Sequence, residues 1–415
     1  MLSETMRRVP ASPIGAMFER ATELRSRGNN LIDLSLGEPD FDTPDHIRAA
    51  GIEAIKAGVT RYTAADGTAA LKDAVRRKFA RDNQLTFERS EVVIAAGAKP
   101  LIASAMQVIL NPGDKVILST PAWTSHVGMA QVCAATPVFL ETSEYEAYRV
   151  DAARLEAAIT SETKLLLLCS PGNPTGAVAS PEELGAIAEV LRRHPHVNVI
   201  SDDLYEHIVF SPATFATLAQ VAPDLGDRVL TVNGLSKAYA MTGWRIGYAG
   251  GPDWWTSGLR ALFSQTSGGP CSISQAAAVA ALDGPQEFLG ERCEVYRRRR
   301  DLALSELSKV PGLKAPAPQG AFFLYVDCGA FIGKRAPNGG VIASSSDLAD
   351  HLLVAGVVTV PGAAFYADPF LRLSVATSDE NIVEGIRRIG VGCRQLGWDG
   401  RHDTKSVGLR RETAL

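Results

Sequence analysis

The sequence holds no cysteine pair at C-x-x-C spacing: Cys133, Cys169, Cys271, Cys293, Cys328 and Cys393 are scattered through 415 residues, with no histidine at finger-type metal spacing. Reduced, mostly structural thiols are expected, and no metal site. No stretch reaches the roughly 18 apolar residues that a membrane span needs. The amino end, MLSETMRRVPASPIG, carries charge but no apolar run behind it, so a cytoplasmic location is expected. Charge of one sign is also missing: 42 Lys+Arg against 46 Asp+Glu leave a net −4, no basic field to gather nucleic acid or an anionic membrane. Internal repeats and low-complexity blocks are absent. What is present, 46% hydrophobic and 21% charged residues, is close to globular averages and excludes disorder, collagen and coiled coil for the bulk of the chain.

From about residue 45 to 290, short apolar runs (92–96, 115–119, 164–169, 197–201, 229–232 and 245–249) alternate with amphipathic segments of helical length. Several runs lack polar alternation, which predicts strands covered on both faces in an α/β fold with a mostly parallel central sheet flanked by helices. One helix is legible at both ends: Ser180 is a predicted N-cap before Pro181-Glu-Glu, and the helix should stop near His194, ahead of Pro195. After about residue 285 a long charged helix (286–309) precedes short strands at 321–326, 357–360 and 371–376, the pattern of a smaller α+β domain. Expected boundaries are a large domain at 45–290, a small domain built from 1–44 and 291–397, and a flexible tail at 398–415. The run Arg297 to Arg300 lies on an amphipathic period between Tyr296 and Leu302, and reads as a solvated helix face rather than a nucleic-acid patch.

Familiar catalytic signatures fail one by one. The glycines at 329 and 333, followed by Lys334, miss the phosphate-loop spacing and carry Arg335 where Ser or Thr belongs. Gly234-Leu-Ser-Lys-Ala238 ends in alanine where a nucleophile elbow has glycine, and His194 and His196 lack an H-E-x-x-H frame. What survives is a series of polar residues just past successive predicted strands: Asn173 after the 164–169 run, Asp202 and Tyr205 after 197–201, then Lys237 and Arg245. In a parallel sheet such positions open onto one crevice, which makes them a candidate ligand site by topology.

Their joint spacing resembles the class I, fold-type I aminotransferases that use pyridoxal phosphate, in particular the bacterial aspartate aminotransferase branch. The resemblance spans about residues 10 to 395 in order. It rests on Ser35-Leu-Gly-Glu-Pro-Asp-Phe41, Arg61-Tyr62, Asn111-Pro-Gly-Asp114, Pro171-Gly-Asn-Pro-Thr-Gly176, Ser201-Asp-Asp-Leu-Tyr-Glu-His207, Asn233-Gly-Leu-Ser-Lys237, Met241-Thr-Gly-Trp-Arg-Ile-Gly-Tyr248 and Leu371-Arg-Leu-Ser-Val-Ala-Thr377.

The resemblance implies a role for each matching residue. Lys237 corresponds to the lysine that forms the Schiff base and then serves as the nearby base. Asp202 would face the pyridine nitrogen, supported by His126, and Asn173 and Tyr205 would bond the ring's phenolic oxygen. Trp123 would stack on the ring. Gly97, Ala98 and Lys99 would hold the phosphate with Arg245 and Ser236, and Tyr62 would reach it from the neighbouring subunit, which implies a two-fold homodimer. Gly234 stands where relatives often place a further serine. The substrate α-carboxylate is expected at Arg372, helped by Asn173 and Gly37. Lys99, Ser12 and Trp123 match a pocket for a distal carboxylate, which favours aspartate and glutamate. Ile14 and Gly268-Gly269 depart from that pocket, and a wider specificity (aromatic, methionine or basic donors) stays open. So do a same-fold lyase or oxidase, and an effector-binding module, although an amino-terminal DNA-binding domain has no room before residue 10.

Overall fold

The computed structural model describes residues 2–9 and 13–397, so Ser12 and the expected tail at 398–415 lie outside the described residues. After β1 (Ile32–Asp33) come β2 (Val92–Ala95), β3 (Lys115–Thr120), β4 (Thr136–Glu141), β5 (Thr163–Cys169), β6 (Asn198–Asp202), β7 (Val229–Gly234) and β8 (Gly247–Gly250). The strands β2 to β8 form one sheet in the order β2-β8-β7-β6-β5-β3-β4. Neighbours from β7 across to β4 are parallel, and only β8 is reversed, antiparallel to both β7 and β2.

Leucine fills both faces of β5: Leu165 and Leu167 enter one core, Leu166 and Leu168 the other. That two-sided burial explains the unbroken apolar run, since alternation would leave polar atoms under a helix. Each such leucine contributes roughly 1.5–3 kcal/mol through removal from water. Helices Ala98–Ile109 and Asp253–Gln265 cover one face through Leu101, Met106, Trp255 and Phe263. Helices Ala69–Asn83, Pro181–Arg193 and Ser272–Asp283 cover the other. The helix at Pro181 starts as expected: Ser180 Oγ accepts from Glu183 N at 3.2 Å and Glu183 Oε2 accepts from Ser180 N at 2.8 Å, a reciprocal cap. His194 is its C-cap.

Beyond the helix Glu287–Leu307, β9 (Phe323–Asp327), β11 (Val360–Pro361) and β12 (Phe370–Ser374) make an antiparallel sheet in the order β11-β12-β9. The strand β10 (Val357–Val358) instead pairs in parallel with β1, which joins the two ends of the chain. The four-arginine run is an ion-paired helix face: Arg297 pairs with Glu294 and Asp301, Arg298 with Asp379, Arg299 with Asp40 and Arg300 with Asp301. Among the described residues no helix is long and apolar enough to cross a membrane.

Three expectations need correction. The strand expected at 245–249 begins at Gly247, because Arg245 takes φ +57° and leaves the extended region. The run expected at 357–360 divides into β10 and β11, which join different sheets. β4 has no counterpart among the expected strands: it is an edge strand with Pro137 within it and Thr136, Phe139 and Glu141 turned to solvent, so it shows no buried run.

Candidate active site

The carboxyl ends of β2, β3, β5, β6 and β7 and the amino end of β8 share one edge of the sheet. There a cavity of about 400 Å³ is lined by Ala98, Lys99, Trp123, His126, Asn173, Asp202, Tyr205, Ser236, Lys237 and Arg245. Gly37 and Ile14 line it from the amino-terminal segment and Arg372 from β12.

Gly97, the residue before the helix Ala98–Ile109, has φ +108°, and a Cβ there would collide with the guanidinium of Arg245. Glycine therefore lets Arg245 lie across the helix N-terminus, where free backbone N–H groups and the helix dipole favour an anion. Gly97 supplies this passage rather than a cavity wall. Arg245 donates to the carbonyls of Thr242 (2.9 Å) and Ala96 (3.3 Å), and among the described residues no carboxylate neutralises it.

At the floor, His126 Nε2 lies 3.0 Å from Asp202 Oδ2, and both residues are buried. An ionised carboxylate only accepts, so Nε2–H donates and the imidazole holds the aspartate in place. The Trp123 ring stands perpendicular to that imidazole with centroids 4.9 Å apart, and the Lys99 ammonium lies 5.4 Å from the Trp123 ring. Tyr205 is buried, and burial pushes its phenol well above the usual range, so it stays a hydrogen-bond donor.

Lys237 donates from Nζ to the Gly37 carbonyl and sits 5.8 Å from the Tyr205 ring. Burial first, then the charges of Arg372 and Arg245, lower its ammonium to about 8 against the opposing pull of Glu38 and Asp202. A lysine near neutrality keeps a usable fraction of free amine. Arg372 donates to Asn173 Oδ1 at 3.0 Å and to the Ser35 carbonyl at 2.7 Å, with its guanidinium 4.3 Å from the Phe323 ring and 5.2 Å from that of Phe365. Burial lowers it to about 10, which leaves it cationic at neutral pH, and its Nε meets no partner among the described residues.

Not every expected residue reaches this cavity. Tyr62 is fully exposed and borders a separate surface hollow with Arg61, Gly269 and Pro270, so Gly268-Gly269 also stand apart from this chain's own cavity. Conversely, Ser35, Glu38, Ile102 and Thr242 line the cavity without having been assigned a role. Glu38 Oε2 accepts from Thr242 Oγ1 at 3.1 Å; Ser35, Glu38 and Thr242 lie inside the stretches that carry the family resemblance, and Ile102 follows Lys99 by three residues on the same helix face, which is the signal the sequence offered for it.

A near-neutral amine, a buried carboxylate–imidazole pair and two guanidinium groups without carboxylate partners among the described residues suit a ligand with anionic groups and a carbonyl. The comparisons with known proteins agree. The pattern of the family "Aminotransferase class I and II" matches residues 29–389. An aspartate aminotransferase of Rhizobium meliloti (strain 1021) is 47% identical over 389 residues, 94% of this chain and 95% of its own. An aspartate/prephenate aminotransferase of Cereibacter sphaeroides is 46% identical, over 95% of this chain and 99% of its own. The crystal structure of the aspartate aminotransferase from Rhizobium meliloti superposes with a TM-score of 0.93 at 45% identity, covering 96% of this chain and 100% of the other. With the family's pattern running through the sheet edge, the lysine and the arginines just described, this chain belongs to the class I and II aminotransferases.

Proposed function

We propose that the enzyme moves an amino group between aspartate or glutamate and a 2-oxo acid such as 2-oxoglutarate, with pyridoxal 5'-phosphate as resident cofactor. The first oxo acid leaves before the second substrate enters. One observation carries the reading: Lys237, with its ammonium lowered to about 8, opens onto the same cavity as Asp202, Arg245 and Arg372. These residues fit the cofactor. The glycine passage at Gly97 leaves Arg245 free for a phosphate, Asp202 offers a buried carboxylate to a ring nitrogen, and Lys237 offers an amine to an aldehyde.

When bound, pyridoxal phosphate supplies an electron-poor ring that takes up the charge left on the substrate Cα after proton loss. Asp202, fixed by His126, holds the ring nitrogen's proton by direct charge pairing. Asn173 and Tyr205 donate to the phenolic oxygen, and Trp123 covers the ring. Ala98, Lys99, Ser236 and Arg245 hold the phosphate. Arg372 binds the substrate α-carboxylate through its fork, assisted by Asn173 and the Gly37 backbone, and so fixes which Cα bond faces the lysine. Lys237 would hold the cofactor through Nζ, and as a free amine near neutrality the same atom would accept a proton from the substrate Cα and donate it again. Lys99, beside Trp123, and Ser12 attract a distal carboxylate.

The names of the relatives support aspartate as donor. A second reading, with a bulkier dicarboxylate such as prephenate as amino acceptor, is favoured by the name of the Cereibacter relative and by the apolar wall of Ile14 and Ile102. We also propose a two-fold homodimer in which Tyr62 serves the partner's site. The exposed apolar side chains of Ile52, Ile55 and Val59 near it in sequence support this. A small domain made of 1–44 and 291–397 is supported by the pairing of β1 with β10.

The test is a single half-reaction. Aspartate added to loaded enzyme without an oxo acid should convert the absorbance stoichiometrically to the pyridoxamine form, ahead of glutamate, aromatic, methionine and basic donors. Return to the starting spectrum with release of ammonia would mean an eliminase instead.

A further inference from the structure

Two aspartates follow one another at the end of β6, and their side chains leave on opposite sides, as strand geometry demands. Asp202 faces the large cavity. Asp203 lines a second, narrow cavity of about 80 Å³ between the sheet and the helix Pro181–Arg193, and the two cavities share a wall of Trp123, His126, Cys169 and Asn173. Asp203 is 1% exposed. Its backbone N–H is tied to the Val232 carbonyl at 2.9 Å and its Oδ1 accepts from Ser201 Oγ at 2.7 Å. Oδ2, buried, has no hydrogen bond of ordinary length among the described residues; the Thr217 hydroxyl, which likewise has no other partner there, is the polar group beside it.

Among the described residues no cation is paired with this carboxyl. The charged groups that border its cavity, Arg149 and Glu183, pair with each other at 3.0 Å, and the imidazole of His126 is bonded to Asp202. The other nearby acid, Glu206, is paired with the buried Lys78 and with His207. An ionised carboxylate in such a place costs several kcal/mol, whereas a neutral acid has a proton to donate into the cavity. A water needs roughly 10–15 Å³ of such space, so the cavity of about 80 Å³ has room for one as a partner to Oδ2. Burial pushes the Asp203 carboxyl up to about 7; the hydroxyls of Thr217 and Ser201 draw it down, and the charges of Glu206 and Asp202 push it further up.

We propose that Asp203 is a positioning residue for the cofactor site: a proton-carrying acid behind Asp202 whose ionisation, with the proton passing to cavity water, places a second negative charge behind the ring-nitrogen partner. Below neutrality Asp202 then acts alone. Above it, the added charge tightens the hold on every proton near Asp202. The effect through Asp202 rests on the function proposed above; the protonation of Asp203 does not.

The experiment therefore has two arms. Infrared pH-difference spectra of the cofactor-free protein should show a protonated-carboxyl band that titrates near neutral pH and is lost in Asp203→Asn. If Asp203→Asn does not fold, Asp203→Glu should keep a band with a moved frequency and midpoint. In loaded protein, the pH midpoint of the cofactor absorbance should shift downward in Asp203→Asn relative to wild type. A wild-type protein without the band, or a band unaltered by either substitution, overturns the proposal. An unchanged cofactor midpoint in loaded Asp203→Asn overturns the positioning role while leaving the cofactor site standing, and failure to bind pyridoxal phosphate at all strikes the proposed function instead.

Discussion

Replacement of Arg372 by lysine keeps the charge but removes the fork. The guanidinium is buried, donates to Asn173 Oδ1 (3.0 Å) and the Ser35 carbonyl (2.7 Å), is flanked by Phe323 and Phe365, and keeps Nε unpartnered among the described residues. A lysine ammonium can meet one carboxylate oxygen but not both while holding that frame. Loss of one charge-assisted hydrogen bond is worth about 1.5–3 kcal/mol, which corresponds to a fall of roughly 10- to 150-fold in kcat/KM. The missing hydrogen bond is one made to the substrate and not to the cofactor, so pyridoxal phosphate should still bind with unaltered affinity. Steady-state kinetics with aspartate, paired with a cofactor titration, reads both. A variant with wild-type kcat/KM, or one that loses cofactor and substrate together, would refute the assignment of Arg372 to the α-carboxylate.

Three further substitutions examine the frame around the site. Lys237 has its proton affinity lowered on folding, so between about 8 and its ordinary 10.5 the unfolded chain binds the extra proton and stability rises with pH. Lys237→Met should therefore raise the denaturation midpoint of cofactor-free protein at pH 7, with the gain shrinking as pH climbs through that window; a gain that does not depend on pH contradicts the assignment. Gly97→Ala forces a side chain into φ +108° and against Arg245, a strain of about 1–3 kcal/mol, and should weaken cofactor binding measured by equilibrium titration. Lys78→Met removes the buried ammonium from Glu206 and leaves it only the His207 imidazole, which should cost about 3–5 kcal/mol of stability in denaturant melts, whereas a neutral outcome would mean that His207 or water takes over the role of Lys78.

The sequence was most legible where one local force acts alone. Leu165 to Leu168 must read as an apolar run when helices cover both faces, and Ser180 with Glu183 announces a helix start through its own hydrogen bonds. The edge strand Thr136–Glu141 escaped because hydrogen bonds to β3 hold it while Thr136, Phe139 and Glu141 face water and only Leu140 is fully buried. Arg245 looked like the first residue of a strand; its left-handed backbone goes with a guanidinium that donates to Thr242 and, 149 residues away in the chain, to Ala96, a contact that no local pattern records. The same limit applies within the site. Lys237, Asp202 and Arg372 carry their chemistry in the side chain and could be matched to a family motif, but the carbonyls of Ser35 and Gly37 that hold Arg372 and Lys237 belong to a backbone common to every residue type.

Every role proposed for this cavity depends on pyridoxal phosphate being carried on the ε-nitrogen of Lys237. Borohydride reduction of the fully loaded enzyme, followed by proteolysis and mass mapping, reads that bond: a pyridoxyl label is expected on Lys237 and on no other lysine. Loaded enzyme that yields no label at Lys237, or a label at another lysine, would contradict it.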